Sequence, residues 1–150
     1  MVLIDSDVFM VEFAFQRDPR FECNSGFLCR VSDAEPAITI YNLMEILGQL
    51  SFNLSPEQLR RWPLWLQDAY GLTVLWPAAE SSDAAAFFRH EIHEQPLERM
   101  VAQRLSFQDA LILGLAERAP EVEALITWNA KHFRGKTKLT VLTPAEYGDG

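Results

Sequence analysis

The sequence has only two cysteines, no excess of basic residues and no apolar run long enough to span a bilayer, and each shortage closes off a class of protein. Cys23 and Cys29 stand six positions apart with no second pair and no flanking histidine, so neither a zinc ribbon nor a disulfide framework is suggested. Both are expected to be packing residues. Lys and Arg number 13 against 21 Asp and Glu, a net charge of −8. That balance opposes any protein that grips nucleic acid over a broad surface, because neutralising many phosphates takes many cations. Internal repeats and low-complexity tracts are also missing, which leaves a single domain as the expectation.

What is there is an ordinary soluble mixture, 49% apolar and 23% charged over 150 residues. A chain of that length can withdraw roughly 70% of its unfolded surface from water without staples. The opening run Met1-Val2-Leu3-Ile4-Asp5 carries neither a basic stretch nor a small-residue cleavage site, so it reads as a strand rather than a secretory signal. No membrane association and a cytoplasmic location are the default expectations.

Short β-branched and apolar runs recur at Val2–Ile4, Ala37–Ile40, Leu72–Trp76, Leu125–Thr127 and Thr140–Leu142, each predicting a buried strand. Helical periodicity falls between them, at Val8–Phe15, Tyr41–Leu50, Pro56–Tyr70, Ser82–Glu94 and Ser106–Arg118. Pro63 perturbs the third of these, and Pro96 is expected to end the fourth. The stretch from Arg17 to Pro36 is punctuated by Pro19 and Gly26 and has room for one further short helix. Tyr147-Gly148-Asp149-Gly150 is expected to be a loose end. Strands alternating with helices predict an α/β protein, a three-layer α/β/α sandwich around a mostly parallel sheet of about five strands.

Three acids stand out against this frame. Asp5 closes the first apolar run, at the carboxyl end of a strand, where open α/β sheets place their ligands; Asp5, Ser6 or Asp7 would equally serve as a helix cap. Glu45 lies on a helix face shared with Tyr41, Asn42, Gly48 and Gln49, which a solvated polar stripe also explains. Asp109 borders the apolar segment Leu111-Ile112-Leu113, where an unpartnered charge is costly, although Ser106-Phe107-Gln108-Asp109 also matches a capping box. Three carboxylates drawn together from separate elements repel one another, and a hard divalent cation such as Mg²⁺ or Mn²⁺ relieves that repulsion. Such an ion polarises a phosphodiester and activates a bound water, so hydrolysis at a P–O bond is the chemistry expected.

Read in order, Val2-Leu3-Ile4-Asp5-Ser6-Asp7-Val8, Thr39 through Leu47, Leu105-Ser106-Phe107-Gln108-Asp109-Ala110-Leu111-Ile112, Leu125 through Phe133 and Val141 through Tyr147 resemble the motifs of PIN domains over nearly the whole chain. The resemblance implies a Mg²⁺- or Mn²⁺-dependent ribonuclease with catalytic, metal-holding acids at Asp5, Glu45 and Asp109. Many bacterial members are toxins of the VapBC kind, in which a small antitoxin covers the active site, and members often form homodimers. An RNA substrate, an antitoxin partner and a homodimer are therefore expected.

Two departures from the family pattern stand out. Asn129 occupies the place where many members carry a fourth acid, and Asp7 the place of an Asn or Ser, so Asp7 is expected to compensate and to join the metal set. Ser6, Thr127 and Asn129 are expected to support the site. Lys131 and Arg134, within the basic group Lys131, His132, Arg134, Lys136 and Lys138, are expected to bind substrate and to answer the charge objection.

Other motifs have plainer readings. His90-Glu91-Ile92-His93 is one residue too short for the zinc-protease pattern, and Arg60-Arg61-Trp62-Pro63-Leu64-Trp65 is either packing or an interface. Two alternatives to the nuclease stay open. One is a haloacid-dehalogenase-type phosphatase using Asp5 and Asp7, which needs a late acidic pair that Val141-Leu142-Thr143-Pro144 does not supply. The other is a PIN-like module that binds RNA or protein with a weakened metal site.

Overall fold

The computed structural model describes residues 1–79 and 82–148. Five strands, β1 (Val2–Ile4), β2 (Pro36–Thr39), β3 (Thr73–Leu75), β4 (Ala124–Ile126) and β5 (Thr140–Leu142), pair in the order β3-β2-β1-β4-β5. Every pairing is parallel, with Leu3 opposite Ala37 on one side and Leu125 on the other. The three inner strands are buried along their whole length, as continuous apolar runs require of a sheet covered on both faces.

Period-two alternation sorts these residues into two core layers. Val2, Ile4, Ile38, Ala124 and Ile126 face one layer with Phe9, Phe27, Ile46 and Leu66. Leu3, Ala37, Leu75, Leu125 and Val141 face the other with Ile112, Leu113 and Phe133. Burying each of the larger side chains among them contributes roughly 1.5–3 kcal/mol.

The helices are α1 (Ser6–Phe13), α2 (Phe21–Arg30), α3 (Ile40–Leu50), α4 (Pro56–Tyr70), α5 (Ala84–Arg89), α6 (Gln95–Gln103), α7 (Phe107–Arg118), α8 (Ala130–Phe133) and α9 (Pro144–Gly148). Their starts follow local chemistry. Thr39 and Asn42 close a capping box on α3, and Ser55 and Gln58 close another on α4, where Pro56 fits the first turn. Gly71 ends α4 at φ 64°, a left-handed conformation that glycine adopts without strain.

Three expectations need correction. Pro96 does not end the fourth helix: a π turn over His90–Glu94 joins α5 to α6, with the Gln95 amide donating to the His90 carbonyl. The wider turn accommodates a ring that has no N–H to give. Cys23 and Cys29 are exposed rather than packed, because α2 buries the face carrying Asn24, Phe27 and Leu28. Tyr147 belongs to α9 and stacks edge-on against Phe27 at 5.5 Å, so the chain is tied down there; Asp149 and Gly150 lie outside the described residues.

The short α8 and α9 have no counterpart in the periodicity because four or five residues are too few to show one. No helix among the described residues is long and apolar enough to cross a membrane.

Candidate active site

The order of the strands makes a crevice. The chain moves outward from β1 through β2 to β3, then returns to the other side of β1 for β4, so the loops after β1 and β4 diverge at their carboxyl ends. Asp5 and Asp7 follow β1, Thr127 and Asn129 follow β4, and the helices after β2 and before β4 bring Glu45 and Asp109 from the flanks. All of Asp5, Ser6, Asp7, Glu45, Asp109 and Asn129 line one open cleft of about 380 Å³.

Each acid is held differently. Asp5 is 7% exposed and serves as the cap of α1: its Oδ1 accepts from the Ser6 amide at 2.8 Å and from Asn42 Nδ2 at 3.0 Å. The Ser6 hydroxyl donates to Glu45 Oε2 and lies 3.3 Å from Asp5 Oδ1, so it bridges the first two acids. Asp109 does not complete the capping box. Ser106 Oγ accepts from the Asp109 amide at 3.1 Å, while the Asp109 carboxylate stands 3.2 Å from His132 Nε2, leaving the side chain at the cleft.

Asp7 Oδ2 accepts from Thr127 Oγ1 at 3.0 Å and from the Asn129 backbone amide at 3.1 Å. A carboxylate is thus delivered to the end of β4, beside the place where Asn129 stands without charge. Asn129 makes this contact through its backbone.

Burial pushes the Asp5 carboxyl up from 3.8 to about 7, and the neighbouring charge of Asp7 adds to the rise against the hydrogen bond from the Ser6 amide. Burial also raises Asp7, against its hydrogen bonds from the β4 end. A folded-state pKa above the unfolded one means that the native state holds the extra proton between about pH 4 and pH 7. The associated stability is complete below the unfolded value and is lost as pH rises through the folded one. Asp5→Asn is therefore expected to be more stable than wild type at about pH 8, by on the order of 2–4 kcal/mol, and nearly equal to it at about pH 4. Thermal melts of both proteins across that range check it, and parallel curves would refute it.

The donor set suits a hard cation: four carboxylates reach the cleft, and Asp7 Oδ1 is buried without a hydrogen-bond partner among the described residues. They are not drawn together into a ready cage. Among the described residues no three His, Cys, Asp or Glu side chains form a group that could hold one ion.

The basic group fares differently from expectation. Neither Lys131 nor Arg134 is on the cleft wall. Arg134 Nη2 is drawn to Glu146 Oε2 at 2.5 Å and its Nε donates to the Val141 carbonyl at 3.3 Å, away from the acids. Lys136 Nζ donates to the Arg104 carbonyl at 3.3 Å.

Sequence reasoning passed over two residues of the cleft region. Asn42 is fully buried and orients Asp5, and its signal was the Thr39-x-x-Asn42 spacing of a capping box. Arg20 lines the cleft from a Pro-containing loop with no periodicity to mark it.

The tryptophans of α4 mainly pack. Phe13 meets Trp62 at 4.7 Å and Trp65 at 5.6 Å, though Trp65 is still half exposed.

No family model matches the sequence, and no curated protein matches it. Solved structures do. A chain in a toxin–antitoxin complex from Klebsiella pneumoniae superposes with a TM-score of 0.58 at 21% identity, covering 97% of this chain and 99% of that one. A chain of VapBC2 from Rickettsia felis, bound to a DNA fragment from its promoter, gives 0.57 at 16% identity, covering 95% and 98%. A chain of FitAB bound to a DNA fragment gives 0.60 at 12% identity, covering 97% and 96%. At such identities the likeness is one of fold. The three-layer α/β/α sandwich expected from the sequence, with a mostly parallel sheet of about five strands, is the fold of this chain; the sheet has five strands, all parallel, and the fold is PIN-like.

Proposed function

We propose that the chain is a metal-dependent endoribonuclease that hydrolyses RNA phosphodiester bonds, acting as the toxin of a VapBC-type pair. One observation carries this reading: four carboxylates from three separated segments of the chain line a single cleft at the switch point of a parallel sheet. Caps and hydrogen bonds account for Asp5 and Asp7 one at a time but not for four like charges meeting at one cleft, whose mutual repulsion a bound cation would offset.

Asp5, Glu45 and Asp109, joined by Asp7, would hold Mg²⁺ or Mn²⁺. The ion would supply Lewis-acid activation of the scissile phosphate and of water. The protein's own part is positional. Asn42 and the Ser6 amide fix the Asp5 carboxylate, the Ser6 hydroxyl links it to Glu45, and Thr127 with the Asn129 amide fixes Asp7. Burial and the neighbouring Asp7 charge raise the Asp5 carboxyl, so its charged form is costly until a cation offsets it.

Purified protein is expected to cut a structured RNA in Mn²⁺ and to stop on addition of EDTA. Failure to cut any of a panel of RNAs in Mn²⁺ or Mg²⁺ would remove the reading. Asp7→Asn is expected to lower that cleavage about tenfold or more, as the loss of a carboxylate from the set implies; unchanged cleavage would show that Asp7 does not stand in for the fourth acid.

The antitoxin and the homodimer belong to the same proposal. The structural neighbours come from toxin–antitoxin complexes, and an acidic cleft suits a partner that inserts a basic side chain. Co-expression with the product of an adjacent short reading frame should yield a complex in which cleavage is suppressed. Light scattering reports the oligomeric state.

A further inference from the structure

Arg20 is the one Lys, Arg or His on the wall of the acidic cleft among the described residues. A cation there has an obvious duty, to neutralise the carboxylates, but its bonds go elsewhere. Asp18 takes it in a fork: Nε donates to Oδ1 at 2.8 Å and Nη2 to Oδ2 at 2.6 Å, while the Arg20 backbone amide adds a third bond to Oδ1 at 2.9 Å. The guanidinium carbon lies 5.5 Å from the centre of the Trp128 ring. Trp128 is itself fixed, its Nε1 donating at 2.7 Å to Oδ1 of the fully buried Asn24, whose Nδ2 donates to the Val8 carbonyl at 3.0 Å and to Glu12 Oε2 at 3.1 Å.

A surface arginine ordinarily keeps its rotamer freedom, and here a carboxylate fork and an aromatic face both restrain it. The fork uses two of the five guanidinium N–H donors and leaves three, both on Nη1 and one on Nη2. No hydrogen bond reaches Nη1 among the described residues, and none joins Arg20 to Asp5, Asp7, Glu45 or Asp109. The result is a half-committed cation held at the rim of a site for a polyanion. Its ordering entropy is met before any ligand arrives.

Resting on the nuclease reading of this cleft, we infer that Arg20 is the substrate's phosphate anchor: its free N–H groups bind a non-bridging oxygen of the backbone phosphate next to the one being cut. The scissile phosphate belongs at the carboxylates; the restrained guanidinium hydrogen-bonds none of them, although its charge is felt by Asp7, so its free N–H groups are left for a neighbouring phosphate. Asp18 and Trp128 act as positioning residues. This assigns to one built clamp the charge contact that a chain of net charge −8 does not provide over a broad surface.

The test uses a short oligoribonucleotide with one mapped cut site, and copies carrying a neutral methylphosphonate at each flanking position. In Mn²⁺, Arg20→Ala is expected to raise KM about tenfold or more, the usual weight of a charge-assisted bond, with kcat changed far less. Arg20→Lys should recover part of the loss. Asp18→Asn and Trp128→Phe should raise KM by smaller factors. The slope of log affinity against log salt should fall by about 0.7, one single-strand phosphate contact.

At one flanking position the methylphosphonate should weaken binding to wild type and have no further effect on Arg20→Ala, the non-additivity expected of a direct pair. A wild-type KM and salt slope in Arg20→Ala, or full additivity at every position, would overturn the assignment while leaving the nuclease reading intact. If wild-type protein cuts nothing, that reading fails on its own, and anisotropy binding of the same oligonucleotide decides the clamp. Equal affinity and salt slope for wild type and Arg20→Ala would then overturn it.

Discussion

Asp109→Asn is expected to lower RNA cleavage in Mn²⁺ by at least about 100-fold while leaving the protein folded. The residue brings a carboxylate to the cleft from the first turn of α7, and only its charge is removed by the change to Asn. Ser106 caps α7 through the Asp109 backbone amide, which the substitution does not touch. An amide oxygen can keep the contact at His132 Nε2, and 23% exposure of the Asp109 side chain limits any packing penalty. The loss should therefore appear in the rate of cutting and not in the melting curve. Gel assays on a structured RNA with parallel calorimetric melts separate the two, and a variant that cuts at the wild-type rate would strike Asp109 from the machinery.

The second large effect lies away from the cleft and is one of stability. Glu91 sits in the π turn with a side chain 5% exposed, accepting from Tyr41 Oη at 2.6 Å and from Arg118 Nη2 at 2.6 Å. Tyr41 belongs to α3 and Arg118 to α7, so one buried carboxylate joins the π turn to the two helices that carry Glu45 and Asp109. A further strut, Gln108 Nε2 to the Tyr41 carbonyl at 2.9 Å, ties α3 to α7 directly.

Glu91→Ala strands a tyrosine hydroxyl and a partly buried guanidinium, and breaking such a pair typically costs 3–5 kcal/mol. Arg118 is a third exposed and can turn to water, so about 3 kcal/mol is expected, a fall in Tm of roughly 10 °C. Glu91→Gln keeps one acceptor and should lose less. Activity per folded molecule well below the melting range should hold, which distinguishes Glu91 from the cleft acids. A melting point within a degree of wild type would show that the triad does not stabilise the fold.

Particular residues show where sequence reading succeeds. Val2–Ile4 and Thr140–Leu142 are runs short enough to be strands and are ended by the polar Asp5 and Thr143, so their carboxyl ends are written locally. Pro56–Tyr70 is likewise bounded by its own chemistry, a Ser-Pro start and a glycine stop. Pro96 misleads because a proline breaks a regular α-helix but is tolerated after a π turn, and the turn draws on Glu91's contacts with α3 and α7, far away in sequence. The cysteines mislead because α2 buries only one face, and composition does not say which.

The sequence by itself determined the alternation of strand and helix and the layered α/β class, since both depend on side-chain period and on caps reached within four residues, and it singled out acids that the fold brings to one cleft. Only the tertiary structure decided that Asp7 would meet the end of β4, that Arg134 would turn to Glu146 and leave the cleft, and that Arg20 would take its place on the wall. The physical reason is range. Periodicity and capping are short-range constraints, whereas the direction of a charged side chain is set by whichever partner the folded topology carries within about 3 Å of it.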